Sequence, residues 1–379
     1  MRIAFYAPLK PPDHPVPSGD RRVGRALIAA LDRAGHEVRL ASRLRSWDGA
    51  GDAARQRRIE RLGGRLACRL IRRYGREPRL RPELWLTYHL YHKAPDWLGP
   101  AVASELAIPY VVVEASSARK QASGRWAMGH AASAAAIARA DALINLNGDD
   151  REGLLQLVGE PARINHLAPF IETAAYARAK PARARLAERY GLDLARPWLL
   201  AVAMMREGAK LASYRVLAEA LRLIDGFDWQ LVVVGDGPAR GEVEALLAPL
   251  AEGRARLLGA LAADALPPLY ASADLYLWPA IHEAFGMAFL EAQAAGLPVV
   301  AGRERGVPEV VREGEAGLLV PPGDARAFAA AVATLLADPC RRRAMGARAR
   351  EIASAEADIG AAARRLDAIL RQVLAERRA

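Results

Sequence analysis

The 379-residue chain is poor in two residue types and lacks one kind of segment. It has two cysteines, Cys68 and Cys340, far apart and outside any paired motif. That usage excludes a disulfide framework and a thiolate metal site, and it implies a reducing compartment. Lysine is scarce, five residues among 54 basic ones, so arginine supplies nearly all the positive charge. No run of about 18 uninterrupted apolar residues exists, so no membrane-spanning helix of ordinary length is expected. The opening run MRIAFYAPLK breaks at Lys10 and Pro11, too early for the apolar core of a signal peptide. No set of His, Cys and Asp has metal-ligand spacing, and no Asp-x-Asp pair sits in a strand-end loop. The expectation is a cytoplasmic protein with neither metal nor cofactor.

What is present reads as a globular enzyme. The chain is 52% hydrophobic and 26% charged, with Gly and Pro scattered rather than clustered. Its length exceeds what one hydrophobic core organises, so two domains are expected. The net charge is +11, and the segment 20–85 alone holds 18 arginines against 8 acids, which is nearly all of the excess.

Residues 2–7 form a short apolar run ended by Pro8; a polar loop follows, then an amphipathic stretch at 20–34 stopped by Gly35. That is strand, loop, helix. The same patterning predicts strands at 37–41, 84–88, 109–113 and 142–146, and helices at 98–106, 124–138 and 149–158. A second series follows the Ala- and Arg-rich stretch 176–197. It predicts strands at 198–203, 231–234, 256–258, 275–278, 298–301 and 317–320, and closing helices at 325–336, 341–353 and 359–375. Strands alternating with helices mean parallel, doubly wound α/β sheets. The expected domains are 1–175 and 196–356, with a C-terminal helix at 357–379 packing back on the first. Open parallel sheets bind ligands at the carboxyl ends of their strands. A cleft between two such sheets is therefore expected, with the motifs in strand-to-helix loops.

The stretch HEAFGMAFLEAQAAGLPVVAG at 282–302 carries the chemistry. Glu283 lies in the loop before Phe285, and Glu291 sits eight positions on, inside the helix that Gly296 ends. The amino end of that helix offers free N–H groups near Gly286 and Met287, suited to a diphosphate, with Gly286 admitting the ligand to the backbone. Two turns on, Glu291 is placed to accept hydrogen bonds from a ribose diol. Phe285 and Phe289 read first as helix core, with Phe285 also kept among the donor-binding candidates.

This stretch resembles the E-x7-E signature of the retaining glycosyltransferases of family 4, the glycosyl transferases group 1, whose GT-B fold has two facing Rossmann-like domains. Downstream, GVPEVV at 306–311 and GEAGLLVPPGD at 314–324 are similar to the family's next elements. Upstream, LVVVGDGP at 231–238, which contains Gly235, and YASADLYLWPA at 270–280 resemble its preceding ones. The resemblance covers the second half continuously and the first half loosely. It implies transfer of a sugar from a nucleoside-diphosphate sugar, UDP- or GDP-linked, to a glycan or lipid-linked acceptor, as in polysaccharide or lipopolysaccharide synthesis. It gives Glu283 the donor sugar or its phosphate and Glu291 the ribose.

The family also places an Arg and a Lys against the diphosphate leaving group. Here the loop after 198–203 reads MMREGAK, with Met204 where the arginine usually stands, so Arg206 and Lys210 are the expected substitutes. The loop PPDHPVPSGD resembles the family's glycine loop but has Gly19 alone of its usual two glycines; Asp20 beside it is suited to capping a helix. On the acceptor side the candidates are His89 and His92 in TYHLYHK, Glu114 where the family often has a histidine touching the sugar, and His130. A hydrogen-bonded structural role competes for each histidine.

The arginine-rich segment 53–73 lays Ile59, Leu62, Leu66 and Leu70 on one stripe of a helix and arginines on most of the rest. Two readings stay open: a helix resting on an anionic membrane, peripheral on the inner face, and a solvated helix packed on its own domain. Nucleic acid is not expected, because no aromatic residues interleave with the arginines. The rival to an enzyme is a non-catalytic, glycosyltransferase-like subunit that docks through this helix.

Overall fold

The computed structural model describes residues 1–16, 18–148, 150–250 and 253–377. The chain divides into two compact units, Met1–Ala168 with Ile359–Ala379, and Pro169–Asp358.

Unit 1 runs β1 (Arg2–Tyr6), α1 (Gly19–Arg33), β2 (Glu37–Ser42), α2 (Ala53–Arg76), β3 (Leu84–Leu90), α3 (Gly99–Glu105), β4 (Tyr110–Ala115), α4 (Ala127–Arg139), β5 (Ala142–Asn145), α5 (Arg151–Val158) and β6 (Ile164–His166). The strands pair in parallel in the order β2-β1-β3-β4-β5-β6. Central strands β3 and β4 are apolar on both faces and almost wholly buried, as a sheet covered by helices on each side requires. The expected strands and helices are present, shifted by one to three residues at their ends. Asp149, where the helix 149–158 was expected to begin, lies outside the described residues. Three-residue β6 was not expected, because Ile-Asn-His carries too little apolar pattern to read.

Unit 2 runs α6 (Ala174–Ala177), α7 (Arg183–Tyr190), β7 (Trp198–Val202), α8 (Ala209–Leu223), β8 (Gln230–Val234), α9 (Arg240–Leu247), β9 (Ala255–Leu257), α10 (Leu266–Ser272), β10 (Leu275–Trp278), α11 (Met287–Ala294), β11 (Val299–Gly302), α12 (Val307–Val310), β12 (Gly317–Val320), α13 (Ala325–Ala337) and α14 (Pro339–Glu356). Its sheet, also parallel, has the order β12-β11-β10-β7-β8-β9. The stretch 176–197 is not a bare connection. Arg183 on α7 donates to the Ser272 carbonyl and to Asp274, both at 2.8 Å, and its guanidinium lies 4.2 Å over the Trp198 ring, which ties α7 into unit 2. Helix α14 starts earlier than its apolar pattern, because Asp338 caps it by accepting from the Arg341 N–H at 2.9 Å and Pro339 fits the first turn.

The last helix, α15 (Ile359–Glu376), belongs to unit 1. It packs on α1 through a stripe including Ile359, Ala362, Leu366, Leu370 and Val373, all buried. Asp367 meets His36 at 3.2 Å and Arg377 meets Asp141 at 2.8 Å.

Helix α2 buries Gln56, Gly63, Ala67 and Tyr74, whereas the expected stripe Ile59, Leu62, Leu66 and Leu70 flanks that face half-buried. The rotation follows from Gly63: a Cβ there would lie 2.4 Å from the Trp97 Cβ, so the glycine lets the backbone approach where a leucine stripe would hold it off. Arg57, Arg58, Arg61, Arg65, Arg69 and Arg72 are all exposed. Among the described residues no helix is long and apolar enough to cross a membrane.

Candidate active site

In unit 2 the loops after β7 and β10 bring two charges together. Lys210, in the first turn of α8, forms an ion pair with Glu283, which precedes α11. Trp278, the last residue of β10, donates its indole N–H to the same carboxylate at 3.2 Å, and the Lys210 ammonium lies 5.3 Å over the Trp278 ring. Tyr214 braces that ring edge-on at 5.0 Å and is anchored by donating to the Ala203 carbonyl at 3.0 Å. Lys210 is 26% exposed and Glu283 18%, so the pair is partly screened from water yet open to a ligand. Neither α8 nor α11 has a side-chain cap at its amino end, where Gly208 and Gly286 stand with positive φ. Uncapped N–H groups beside a lysine are an anion-binding arrangement.

The other expected donor residues divide. Arg206, on the loop before α8, is exposed, and among the described residues its side chain has no partner. Glu291 is only 1% exposed and accepts from the Tyr270 hydroxyl at 2.8 Å; a ribose reaching this carboxylate must share it with Tyr270. Gly286 is held at φ 70°, but a Cβ there would lie 2.3 Å from the Phe289 ring. Its lack of a side chain serves core packing first. Met287 is the first residue of α11, and Phe285 and Phe289 are buried. Gly235 meets the backbone: a Cβ would stand 1.8 Å from the Ala203 carbonyl oxygen, so the β8 turn packs directly on the loop that leads to Lys210.

Unit 1 builds a different cluster at the carboxyl ends of β3 and β4. His89 and Glu114 both adopt left-handed backbone conformations, φ 61° and 57°. Such strain in non-glycine residues persists where the surroundings over-determine it, and it gathers at functional sites. Asp20 was expected to cap α1. Instead Ser18 caps it, accepting from the Arg21 N–H at 3.2 Å, and Asp20 is released to bond His89 Nδ1 at 2.8 Å. Gly19 is the first residue of α1, and a Cβ there would meet nothing within 4 Å, so close packing does not require glycine at this position. Burial works against a charged His89, but Glu114 and Asp20, with Asp150 beyond, outweigh it and hold the imidazole above its ordinary pKa. Burial would raise Asp20, yet the hydrogen bond and charge of His89, with Lys10, hold it below. Burial, helped by Asp20 and Asp150, raises Glu114 against the lowering effect of His89 and Tyr88, and Glu114 Oε2 is buried without a hydrogen-bond partner among the described residues.

These shifts have opposite pH signatures. The raised His89 stabilises the fold fully below its unfolded pKa near 6.5, and that contribution fades as pH rises through the higher folded value. The depressed Asp20 stabilises above its unfolded value of 3.8, and its contribution fades as pH falls through the lower folded one. An NMR titration should therefore find the His89 midpoint above pH 6.5 in the intact chain, and Asp20→Asn should bring that midpoint down. An unchanged midpoint would remove Asp20 as its partner.

His92 and His130 form a separate group with Trp126, whose ring centroid is 5.8 Å from that of His92. Among the described residues no three His, Cys, Asp or Glu side chains are arranged to hold a metal ion. Trp278, Tyr270, Trp126 and Asn145 are not marked as site residues by any pattern in the sequence. Trp278 and Tyr270 both lie in the quoted 270–280 motif, so position was legible there and role was not. Asn145, buried at the end of β5 with both amide atoms unpartnered among the described residues, left no signal.

Residues 196–338 match the family model described as glycosyl transferases group 1. The chain is 35% identical over 218 residues to a GDP-mannose-dependent alpha-(1-6)-phosphatidylinositol monomannoside mannosyltransferase of Mycolicibacterium smegmatis, covering 55% of this chain and 56% of that one. It is 31% identical over 252 residues to alpha-D-kanosaminyltransferase of Streptomyces kanamyceticus, covering 66% and 64%. The chain thus spans between half and two thirds of the length of these curated relatives. Among solved structures, Anabaena HepE in complex with UDP superposes with a TM-score of 0.74 at 19% identity, covering 98% of this chain and 100% of that one. Sucrose-phosphate synthase from Thermosynechococcus elongatus gives 0.73 at 22%, covering 99% and 100%. The fold class is that expected from the sequence, two Rossmann-like parallel sheets of GT-B type.

Proposed function

We propose that this chain, which carries a glycosyl transferases group 1 domain at residues 196–338, moves a sugar from a nucleoside-diphosphate sugar to an acceptor hydroxyl with retention at the anomeric carbon. The observation that carries the reading is the Lys210–Glu283 pair set beside the uncapped amino ends of α8 and α11. As the glycosidic bond breaks, charge accumulates on the departing diphosphate, and a lysine with fixed N–H dipoles lowers the energy of that state more than of the bound donor. Glu283 fixes the ammonium and presents its second oxygen to sugar hydroxyls; Glu291, shared with Tyr270, takes the ribose. Met287 and Gly286 lie along the diphosphate path. In this reading a leaving phosphate oxygen helps remove the acceptor proton on the face the leaving group vacates, and no metal takes part. His89, Glu114, His92 and His130 lie on the acceptor side, toward a glycan or a lipid-linked saccharide. The names of the relatives, one GDP-mannose-dependent, and of a neighbour solved with UDP-glucose support a nucleotide-sugar donor.

A thermal-shift panel of UDP, GDP and ADP and their sugars tests the reading, because a ligand of the folded state raises Tm by an amount that grows with affinity and concentration. One nucleotide series should stabilise the chain. If none does, it is a binding scaffold. The anomeric configuration of the product, read by NMR, decides retention.

Peripheral membrane docking through α2 belongs to the same proposal. The exposed arginines from Arg57 to Arg72 present one sign of charge, and each such residue near an anionic leaflet contributes about 1 kcal/mol. Co-sedimentation should show binding to anionic vesicles and not to neutral ones, weakening with salt. The triple variant Arg57→Glu, Arg61→Glu, Arg65→Glu should remain in the supernatant. Equal sedimentation of variant and parent would exclude α2 as the docking element.

A further inference from the structure

The loop after β3, the start of α2 and the first turns of α4 enclose a group of polar side chains that the donor chemistry does not use. Gly129 of α4 packs so closely that a Cβ would stand 2.1 Å from the His92 carbonyl oxygen and 3.8 Å from Gln56 Oε1; Ser133 is one turn further along that face. Both ring nitrogens of His92, His130 Nε2, Ser133 Oγ and Gln56 Oε1 are buried with no hydrogen-bond partner among the described residues. An unsatisfied buried polar group costs about 1–3 kcal/mol, so a concentration of them needs a reason.

The charges around this group are of one sign. Lys93 lies 4.6 Å over the Trp126 ring, with the Arg125 guanidinium at 5.5 Å. His92 has its charged form disfavoured first by burial, then by Lys93, His130 and Lys120, and no carboxylate offsets them. The nearby acid, Asp48, is engaged: Oδ1 accepts from the Ala50 N–H at 3.2 Å and Oδ2 from Gln56 at 3.1 Å. Among the described residues, Lys93, Lys120 and Arg125 have no carboxylate within ion-pair distance. A chain that makes its positive charge from arginine almost everywhere keeps two of its five lysines here. Compositional bias therefore does not account for them.

We propose that Lys93 and Lys120, with Arg125 at the rim, bind a phosphate group carried by the acceptor. This deepens the transferase reading and rests on it for the word acceptor alone. Two ammonium groups with no carboxylate partner among the described residues suit the compact, highly charged phosphate, and the amino end of α4 adds the positive pole of its dipole. Trp126, held by donating to the Asp48 carbonyl at 3.1 Å, fixes the Lys93 stem. His92 lies edge-on to Trp126, ring centroids 5.8 Å apart, with both ring nitrogens buried, where a nearby phosphate would favour its protonation.

The experiment reads His92 directly. Histidine 1H–13C spectra of the full chain, with the His92 signal assigned through His92→Gln, are followed while inorganic phosphate is added. Phosphate should shift that signal and raise its titration midpoint. The double variant Lys93→Gln, Lys120→Gln should bind phosphate about tenfold more weakly, while Arg185→Gln, an exposed arginine of α7, should bind as the parent does. Glucose 1-phosphate and phosphatidic acid vesicles, added separately, distinguish a soluble phosphate ester from a lipid headgroup; a His92 response to either supports the site. A His92 signal unmoved by all three probes, or a double variant that binds like the parent, overturns it. Because no turnover is measured, a chain that shows the response but binds no nucleotide loses the transferase reading and keeps the phosphate site, and the converse result loses only the site.

Discussion

Lys210→Ala should lower kcat for sugar transfer by about 10²- to 10³-fold while leaving Tm within a few degrees, the scale seen when one preorganised group facing a developing anion is removed. Glu283 decides the size of the effect. In the intact chain its carboxylate is held between the Lys210 ammonium and the Trp278 N–H. Removing the lysine deletes the cation that meets the diphosphate and also leaves a carboxylate of the same sign where the leaving group gathers charge. The loss should therefore exceed that from Glu283→Gln, which keeps the cation. The two changes should not add, since each dissolves the same pair. Lys210→Arg should recover only part of the rate, because the bulkier guanidinium, although it too can lie over an indole, does not present the compact point charge of the ammonium to the diphosphate. Initial rates with the donor found in the thermal-shift panel provide the measurement. A Lys210→Ala enzyme within about threefold of the parent would remove this pair from the chemistry.

The second large effect concerns stability. Gly235→Ala should destabilise unit 2 by about 3 kcal/mol or more, a fall in Tm of about 6–12 °C for a body of this size. Two costs combine. Its φ of 148° is a conformation that side-chain-bearing residues avoid, and the new Cβ would overlap the Ala203 carbonyl oxygen at 1.8 Å. That oxygen belongs to backbone, and it also accepts from Tyr214, so it cannot swing aside as a flexible side chain would. Gly19→Ala, with open space around the position, should change Tm by little in the same melting experiment. If both variants melt with the parent, the close approach of the β8 turn to Ala203 is wrong.

The alternation of apolar strands and amphipathic helices made both sheets legible, because burial on two faces leaves unbroken runs such as Val111–Val113 and Val232–Val234. The donor side was legible as a position: the loop holding Glu283 and the helix holding Glu291 could be drawn from spacing alone. Partners were not legible. That Glu291 is bonded by Tyr270, 21 positions away, depends on α10 and α11 packing together, which no local pattern records. Asp20 shows the same limit. Next to Gly19 it reads as a cap, but Ser18 is two residues closer to the loop and takes the role, so the carboxylate is free for a histidine 69 residues on. For Arg206 spacing places a cation on the loop before α8, and the fold leaves its side chain exposed there.

Helix α15 joins parts of unit 1 that are far apart in the chain. Its residues are made after the whole of unit 2, yet they cover α1, which is made first. During synthesis the α1 face that will receive Leu366 and Leu370 stays uncovered until the ribosome has passed Asp358, whereas unit 2, continuous in the chain, can complete its core as it emerges. Order of emergence and order of folding are thus reversed: the first unit to be written is the last to close.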